Sequence, residues 1–249
     1  MISGVELIVY PPLRPRKNNG AHTVKPIFQV TDLVVRKGDE PLTFEIGDGL
    51  TLLITERESG SSTLCMTLAG RFKQFGGEIA LSGATTTPRE RFKDVAMAGL
   101  TMLDGLERQM DTRHILREQI AWSQPFFKRV PRDVLAHPNV EPWLDVLSLE
   151  DLDVSLRIGD VSVEDRFRLR VLLALVSRPD AKALVIDDID QIRSLRLRAA
   201  VLDDLVELSK HLPVVVNSVN EDPDNHADEI VDLRHAPEAS NDEEEQVNA

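Results

Sequence analysis

The sequence predicts an α/β fold with a parallel sheet at its centre, and three observations carry that prediction. Residues 50–54 (LTLLI) and 183–188 (ALVIDD) contain short apolar runs, the form taken by strands buried on both faces of a parallel sheet. Each is followed by a stretch whose apolar residues recur at helical spacing. Glycine and proline fall between these segments, so strands and helices alternate along the chain.

The first unit reads strand, glycine turn, helix, strand. After Gly60, the residues Leu64, Cys65, Leu68, Ala69 and Phe72 recur at i, i+1, i+4, i+5 and i+8, one apolar helical face. Ser61, Ser62 and Thr63 supply polar groups where the first helical N–H donors need acceptors. Gly76-Gly77 ends the segment, and residues 78–81 form a new strand. Residues 84–160 begin with TTTP and continue with helical stretches such as 114–123, interrupted by Pro125, Pro131, Pro138 and Pro142. Residues 161–176 give a polar start and then a helix carrying Phe167, Val171, Ala174 and Leu175. After the 183–188 strand, Leu195, Ala199, Leu202 and Val206 mark a further helix, and residues 213–217 a further strand.

The turn before the first helix has the frame of a phosphate-binding loop and lacks most of its chemistry. Such a loop needs GxxxxGK[ST]: glycines let backbone N–H groups converge on phosphate, lysine neutralises its charge, and the hydroxyl ligates Mg²⁺. Here Thr55 to Ser62 occupy the eight positions: Gly60 and Ser62 survive, Thr55 replaces the first glycine, Ser61 replaces the lysine, and Glu56 and Glu58 add two carboxylates. The strand ending in Asp187-Asp188 has the pattern of a Walker B segment, whose first acid holds Mg²⁺ through water and whose second orients the attacking water. Each feature also has a purely structural reading. Gly60, Ser62 and Thr63 can be an ordinary helix N-terminus, Asp187-Asp188 a solvated strand end, Ser162 and Glu164 an N-cap region, and Arg166, Arg168 and Arg170 a solvated or subdomain-facing side. Cys65, the lone cysteine, lies on an apolar helical face and is predicted to be core.

In this order and spacing the chain resembles the ATP-binding cassette (ABC) ATPase subunits of transporters, over residues 27–235. Residues 77–83 look like the family's "GEI.L.G" hairpin, and residues 143–156 are similar to the stretch leading to its signature sequence. The LSGGQ signature falls on residues 161–165, where only Ser162 is retained. The resemblance implies a P-loop NTPase-like ABC cassette, a mixed-sheet core with a helical subdomain inserted at 84–160. It places the adenine-stacking aromatic near Lys37, the Q-loop glutamine near Gly99, the Walker B aspartate at Asp187, the catalytic glutamate at Asp188 and the switch histidine at Ser218. By the same route nucleotide contacts fall on Gly60, Ser61, Ser62, Thr63 and Ser162, and the metal on Ser62 and Asp187. ATP and Mg²⁺ are thus the implied cofactors, with binding expected to be weak or absent and the protein a pseudo-ATPase. A working ATPase with atypical ligands and a soluble interaction module on the same fold are the alternatives.

Composition bounds the partners. With 249 residues, 42% of them hydrophobic, the chain can bury an α/β core of one domain. A single cysteine fits a reducing cytoplasm, no apolar run approaches the roughly 20 residues needed to span a bilayer, and no signal-peptide pattern opens the sequence. Any transport pore is therefore expected on a separately encoded permease, with this chain at the inner face of the membrane through that partner. The family also implies a dimer of cassette subunits. From Glu221 onward there are eleven acids and one arginine, a charge of −10 out of the total −13. An acidic chain without a strong basic cluster is a poor nucleic-acid binder, and none is expected as partner. Residues 1–26, with PPLRPRKNNG, read as a flexible arm, and 236–249 as an acidic disordered tail.

Overall fold

The computed structural model describes residues 26–99 and 108–234. The acidic tail and all but the last residue of the N-terminal arm lie outside the described residues. The chain runs β1 (Phe28–Val34), β2 (Leu42–Ile46), β3 (Leu50–Ile54), α1 (Ser61–Leu68), β4 (Gly76–Leu81), β5 (Ala84–Thr85), α2 (Pro88–Asp94) and β6 (Val95–Ala98). It continues through α3 (Thr112–Ser123), α4 (Val163–Ser177), β7 (Ala183–Ile186), α5 (Leu195–Ser209), β8 (Val214–Ser218) and β9 (Glu229–Asp232). Four strands form an antiparallel sheet in the order β2-β1-β4-β5, and five form a parallel sheet in the order β6-β7-β8-β3-β9.

The apolar strand runs exist because the parallel sheet is covered on both faces. Side chains alternate along a strand. Leu50, Leu52 and Ile54 of β3, Leu184 and Ile186 of β7, and Val214 and Val216 of β8 enter one core with α4, α5 and α3. Leu53, Val185 and Val215 enter the other, where α1 contributes Leu64, Cys65 and Leu68 and the antiparallel sheet contributes Phe28, Ile46 and Ile79. The β3–α1 unit is therefore held from both sides, which fixes the loop between them.

Three expectations change. The first helix ends at Leu68 and does not reach Phe72, because Gly70 adopts φ +69° and the chain closes a Schellman motif, with Gly70 N–H on Thr67 O (3.0 Å) and Arg71 N–H on Met66 O (2.7 Å). Residues 84–160 are not a wholly helical insertion. Their first part holds β5, α2 and β6, and β6 is the outer strand of the parallel sheet. Its run VAMA is buried throughout, a pattern that periodicity cannot distinguish from buried helix. The α5 face is rotated: Leu195 is exposed, and the buried stripe is Arg198, Val201, Leu202, Leu205 and Leu208. Beyond Gly99 the helical expectation holds in α3, which packs on α4, followed by a single 3-10 turn at Glu141–Trp143. No helix among the described residues is long and apolar enough to cross a membrane.

Candidate functional site

The loop from β3 to α1 leads directly into the first turn of the helix. Gly60 precedes α1 at φ +80° and Glu58 sits at φ +63°, a left-handed conformation costing a non-glycine residue about 1–2 kcal/mol. Ser61, Ser62 and Thr63 open α1, so their N–H groups lie at the positive end of the helix. Glu56 and Glu58 are exposed. Thr55, at the first-glycine position, is buried, and its hydroxyl donates to Asn217 Oδ1 (2.8 Å).

That bond begins a buried chain across three strand ends. Asn217 of β8 donates through Nδ2 to Asp187 Oδ1 (3.0 Å), and Asp187 is only 3% exposed. Cys65 of α1 lies against the same carboxylate. Burial, reinforced by that negative charge, pushes its thiol well above its ordinary range and keeps it protonated. Asp187 is thus committed to interior partners, and among the described residues no hydrogen bond joins it to Ser62. No cluster of three or more acids, histidines or cysteines suited to a metal occurs among the described residues.

Asp188 follows at φ +51°, half-buried at the head of a 3-10 turn, Ile189–Gln191. Burial and then the charges of Asp187 and Asp190 hold its carboxyl above the usual carboxylate range. Ser218 is not open to this site: it is buried, and its hydroxyl lies 2.9 Å from Asp190 Oδ2 while accepting from Asn220 N–H. Asp190 also receives Val219 N–H (2.7 Å), Asn220 Nδ2 (2.7 Å) and the Arg198 guanidinium. Ser218 is therefore a saturated internal anchor.

Two residues that sequence reasoning did not single out complete the neighbourhood. A Cβ at Gly99 would stand 2.0 Å from the Asp187 carbonyl oxygen, so no longer residue fits where the Q-loop glutamine was expected. Gln191 occupies that region from the other side, donating to Gly99 O (2.7 Å) and Asp188 O (3.0 Å) and accepting from Arg170 Nη1 (2.8 Å). Arg36, in the loop after β1, donates to Thr63 Oγ1 and lies 3.3 Å from where a Gly60 Cβ would stand. It lines a cleft of about 280 Å³ with Val35, Ser59, Gly60, Ser61 and Leu64, just under the roughly 300–1,000 Å³ of small-molecule sites. No spacing rule links Arg36 to Gly60; only the β1–β2 turn brings them together. Ser162, by contrast, is the N-cap of α4, accepting Asp165 N–H at 3.0 Å.

Comparison with solved structures places this arrangement in a known class. The ADP conformation of MJ1267, an ATP-binding cassette of an ABC transporter, aligns over 84% of this chain and 87% of its own with TM-score 0.67 and 18% identity. CbiO1 from Clostridium perfringens, part of the ABC transporter complex cbiONQ, aligns over 84% and 85% with TM-score 0.68 and 15% identity. A nucleotide-free ATP-binding cassette from an ABC transporter aligns over 84% and 88% with TM-score 0.64 and 18% identity. No family model and no curated protein matches the sequence. The fold is that of the ATP-binding cassettes, the α/β P-loop architecture that the order of elements predicted.

Of the parts a magnesium nucleotide needs, the described residues offer a helix N-terminus, a cleft and the Arg36 guanidinium. They do not offer a loop lysine or an accessible Walker B carboxylate. The cleft also carries the Asp39 and Glu40 carboxylates, and Asp39 accepts the Arg36 backbone N–H (2.8 Å).

Proposed function

We propose that this chain is a cassette-fold subunit whose nucleotide handling is weakened or abolished, and which serves as the scaffold partner of a membrane permease on a separate chain. The observation that carries the reading is the buried chain Thr55–Asn217–Asp187, which ties the loop to β8 and β7 and gives the Asp187 carboxylate an interior partner. Loss of the lysine removes a charge pair worth at most about 4 kcal/mol at an effective dielectric near 20, or roughly a thousandfold in affinity. Phosphoryl transfer depends on placement and electrostatics, and the loop has Ser61 where a lysine would place the phosphate. Pairing with a second cassette subunit, location at the inner face of the membrane and the permease itself follow from the fold's resemblance to transporter subunits such as CbiO1.

Arg36 favours a second reading, in which the chain binds a nucleotide or another phosphate without turning it over. Steady-state phosphate release from wild type, Ser61→Lys and Asp188→Ala, alone and with a permease partner, tests the proposal. No release above background is expected in any of them, and Ser61→Lys is expected to improve binding more than hydrolysis. Turnover of ordinary cassette magnitude in wild type, abolished in Asp188→Ala, would overturn it.

A further inference from the structure

The most exposed apolar surface lies beyond α3. Phe126 is 99% exposed and Phe127 76%, the two central residues of a turn closed by Lys128 N–H on Pro125 O (2.9 Å). Gln124 Nε2 braces the turn on Lys128 O (2.9 Å), and Arg117 Nη1 ties the following segment through Pro131 O (3.1 Å). The two rings meet edge to face, 5.6 Å apart, so they form a single projecting apolar tip. Trp122, in the last turn of α3, is 80% exposed. Lys128, Arg129 and Arg132 are exposed beside the rings, and residues 119–132 contain no acid. Phe126 and Phe127 on the braced turn, Trp122 at the end of α3 and the cations Lys128 and Arg129 that follow the rings are all exposed, and none has a role in the cassette core.

We propose that this tip inserts into the interfacial layer of an anionic phospholipid bilayer, giving the chain its own contact with a membrane. Aromatic rings favour the headgroup region, and adjacent Lys and Arg side chains are drawn to its negative potential. The tip protrudes, as insertion between lipids requires, and does not form the groove that tracks a nucleic-acid strand. The net acidity of the chain does not prevent the contact. Among the described residues, Asp228, Glu229 and Asp232 stand at or in β9, at the edge of the parallel sheet opposite β6. The tip belongs to α3, which packs on α4, and α4 packs on β6. Four strand spacings, roughly 19 Å, separate the two sheet edges, against a Debye length of about 8 Å at physiological salt. Those acids are therefore screened from the tip.

This inference does not rest on the nucleotide reading, and its assay contains neither nucleotide nor permease, so either can fail alone. The full chain is co-sedimented with vesicles of phosphatidylcholine, with and without one third phosphatidylglycerol. Binding is expected only to the anionic vesicles and should fall as salt is raised from about 0.1 M to about 1 M, where the Debye length shrinks to about 3 Å. Phe126→Ser/Phe127→Ser should lower the partition constant at least about tenfold, since each buried ring contributes on that order. Lys128→Glu/Arg129→Glu should abolish the preference for anionic lipid. Because all four side chains are exposed, unfolding midpoints should match wild type, which separates lost binding from lost folding. In a Trp143→Phe background the emission of Trp122 should shift to the blue on addition of anionic vesicles. Absence of vesicle binding, binding that the double phenylalanine variant retains, or a tip that instead binds single-stranded oligonucleotides would overturn the proposal.

Discussion

Asp187 owes its setting to the groups around it, and Gly99 is the most constrained of them. At φ +89°, with the Asp187 carbonyl where a Cβ would go, it accepts no side chain without moving β6 or β7. Gly99→Ala should therefore lower stability by more than about 2 kcal/mol, combining left-handed strain with the clash. An unchanged urea midpoint would show that the β6–β7 crossing is wrongly described. Asn217→Ala leaves Thr55 and Asp187 without their shared partner and should cost about 1–3 kcal/mol. Asn217 was legible in principle, since a polar residue inside the run VVVNS needs a buried partner. Arg36 was not, because a residue 24 positions before Gly60 reaches it only through the folded β1–β2 turn.

His137 supplies the pH dependence at this scale. It is buried, and its Nδ1 accepts Asn139 N–H at 3.2 Å, which requires that nitrogen to be unprotonated. Burial, and then the Lys128 charge, hold its pKa below the ordinary histidine value. The folded state thus binds fewer protons than the unfolded one between the two pKa values. Stability contributed by the neutral ring is fully present above the unfolded pKa and is lost as pH falls through that window. Denaturation midpoints of wild type should decline on acidification below about 6.5, the unperturbed histidine value. In His137→Asn that part of the slope should vanish, and an identical slope in both proteins would refute the assignment.

Among the elements, β3 and α1 were the most legible, because their signals are local: LTLLI must be buried on both faces, and Gly60 marks the start of a helix whose Leu64, Cys65 and Leu68 share one apolar face. The polar triplet at 61–63 makes no side-chain cap, and Gly60 is the N-cap in its place. Where the sequence misled, a long-range fact decided. The extent of α1 was set by Gly70 entering a Schellman motif against α2, the facing of α5 by which neighbour covered it, and the identity of β6 by its pairing with β7. The load on α1 falls on Leu68, which is fully buried between the two sheets. Leu68→Ala is expected to destabilise by roughly 2–5 kcal/mol, read as a shift in denaturant midpoint, and a negligible shift would mean the helix does not face that core.

For the whole molecule, the fold is that of the cassettes, while Asp187 and Ser218 hydrogen-bond inward to Asn217 and Asp190. The site was only half legible in the sequence. Missing residues such as the loop lysine can be read from spacing, whereas the inward commitment of Asp187 and Ser218 depends on partners 30 and 28 residues away in the chain. The central claim is that the fold does not depend on nucleotide and binds it poorly. Isothermal titration of the purified chain with Mg²⁺·ATP tests this most directly. The account predicts affinity roughly a thousandfold below an intact loop, in the millimolar range where such a loop binds at about 1 µM. Low-micromolar binding by the wild-type chain would contradict it, and would mean that Arg36 and the α1 N-terminus fully replace the missing lysine.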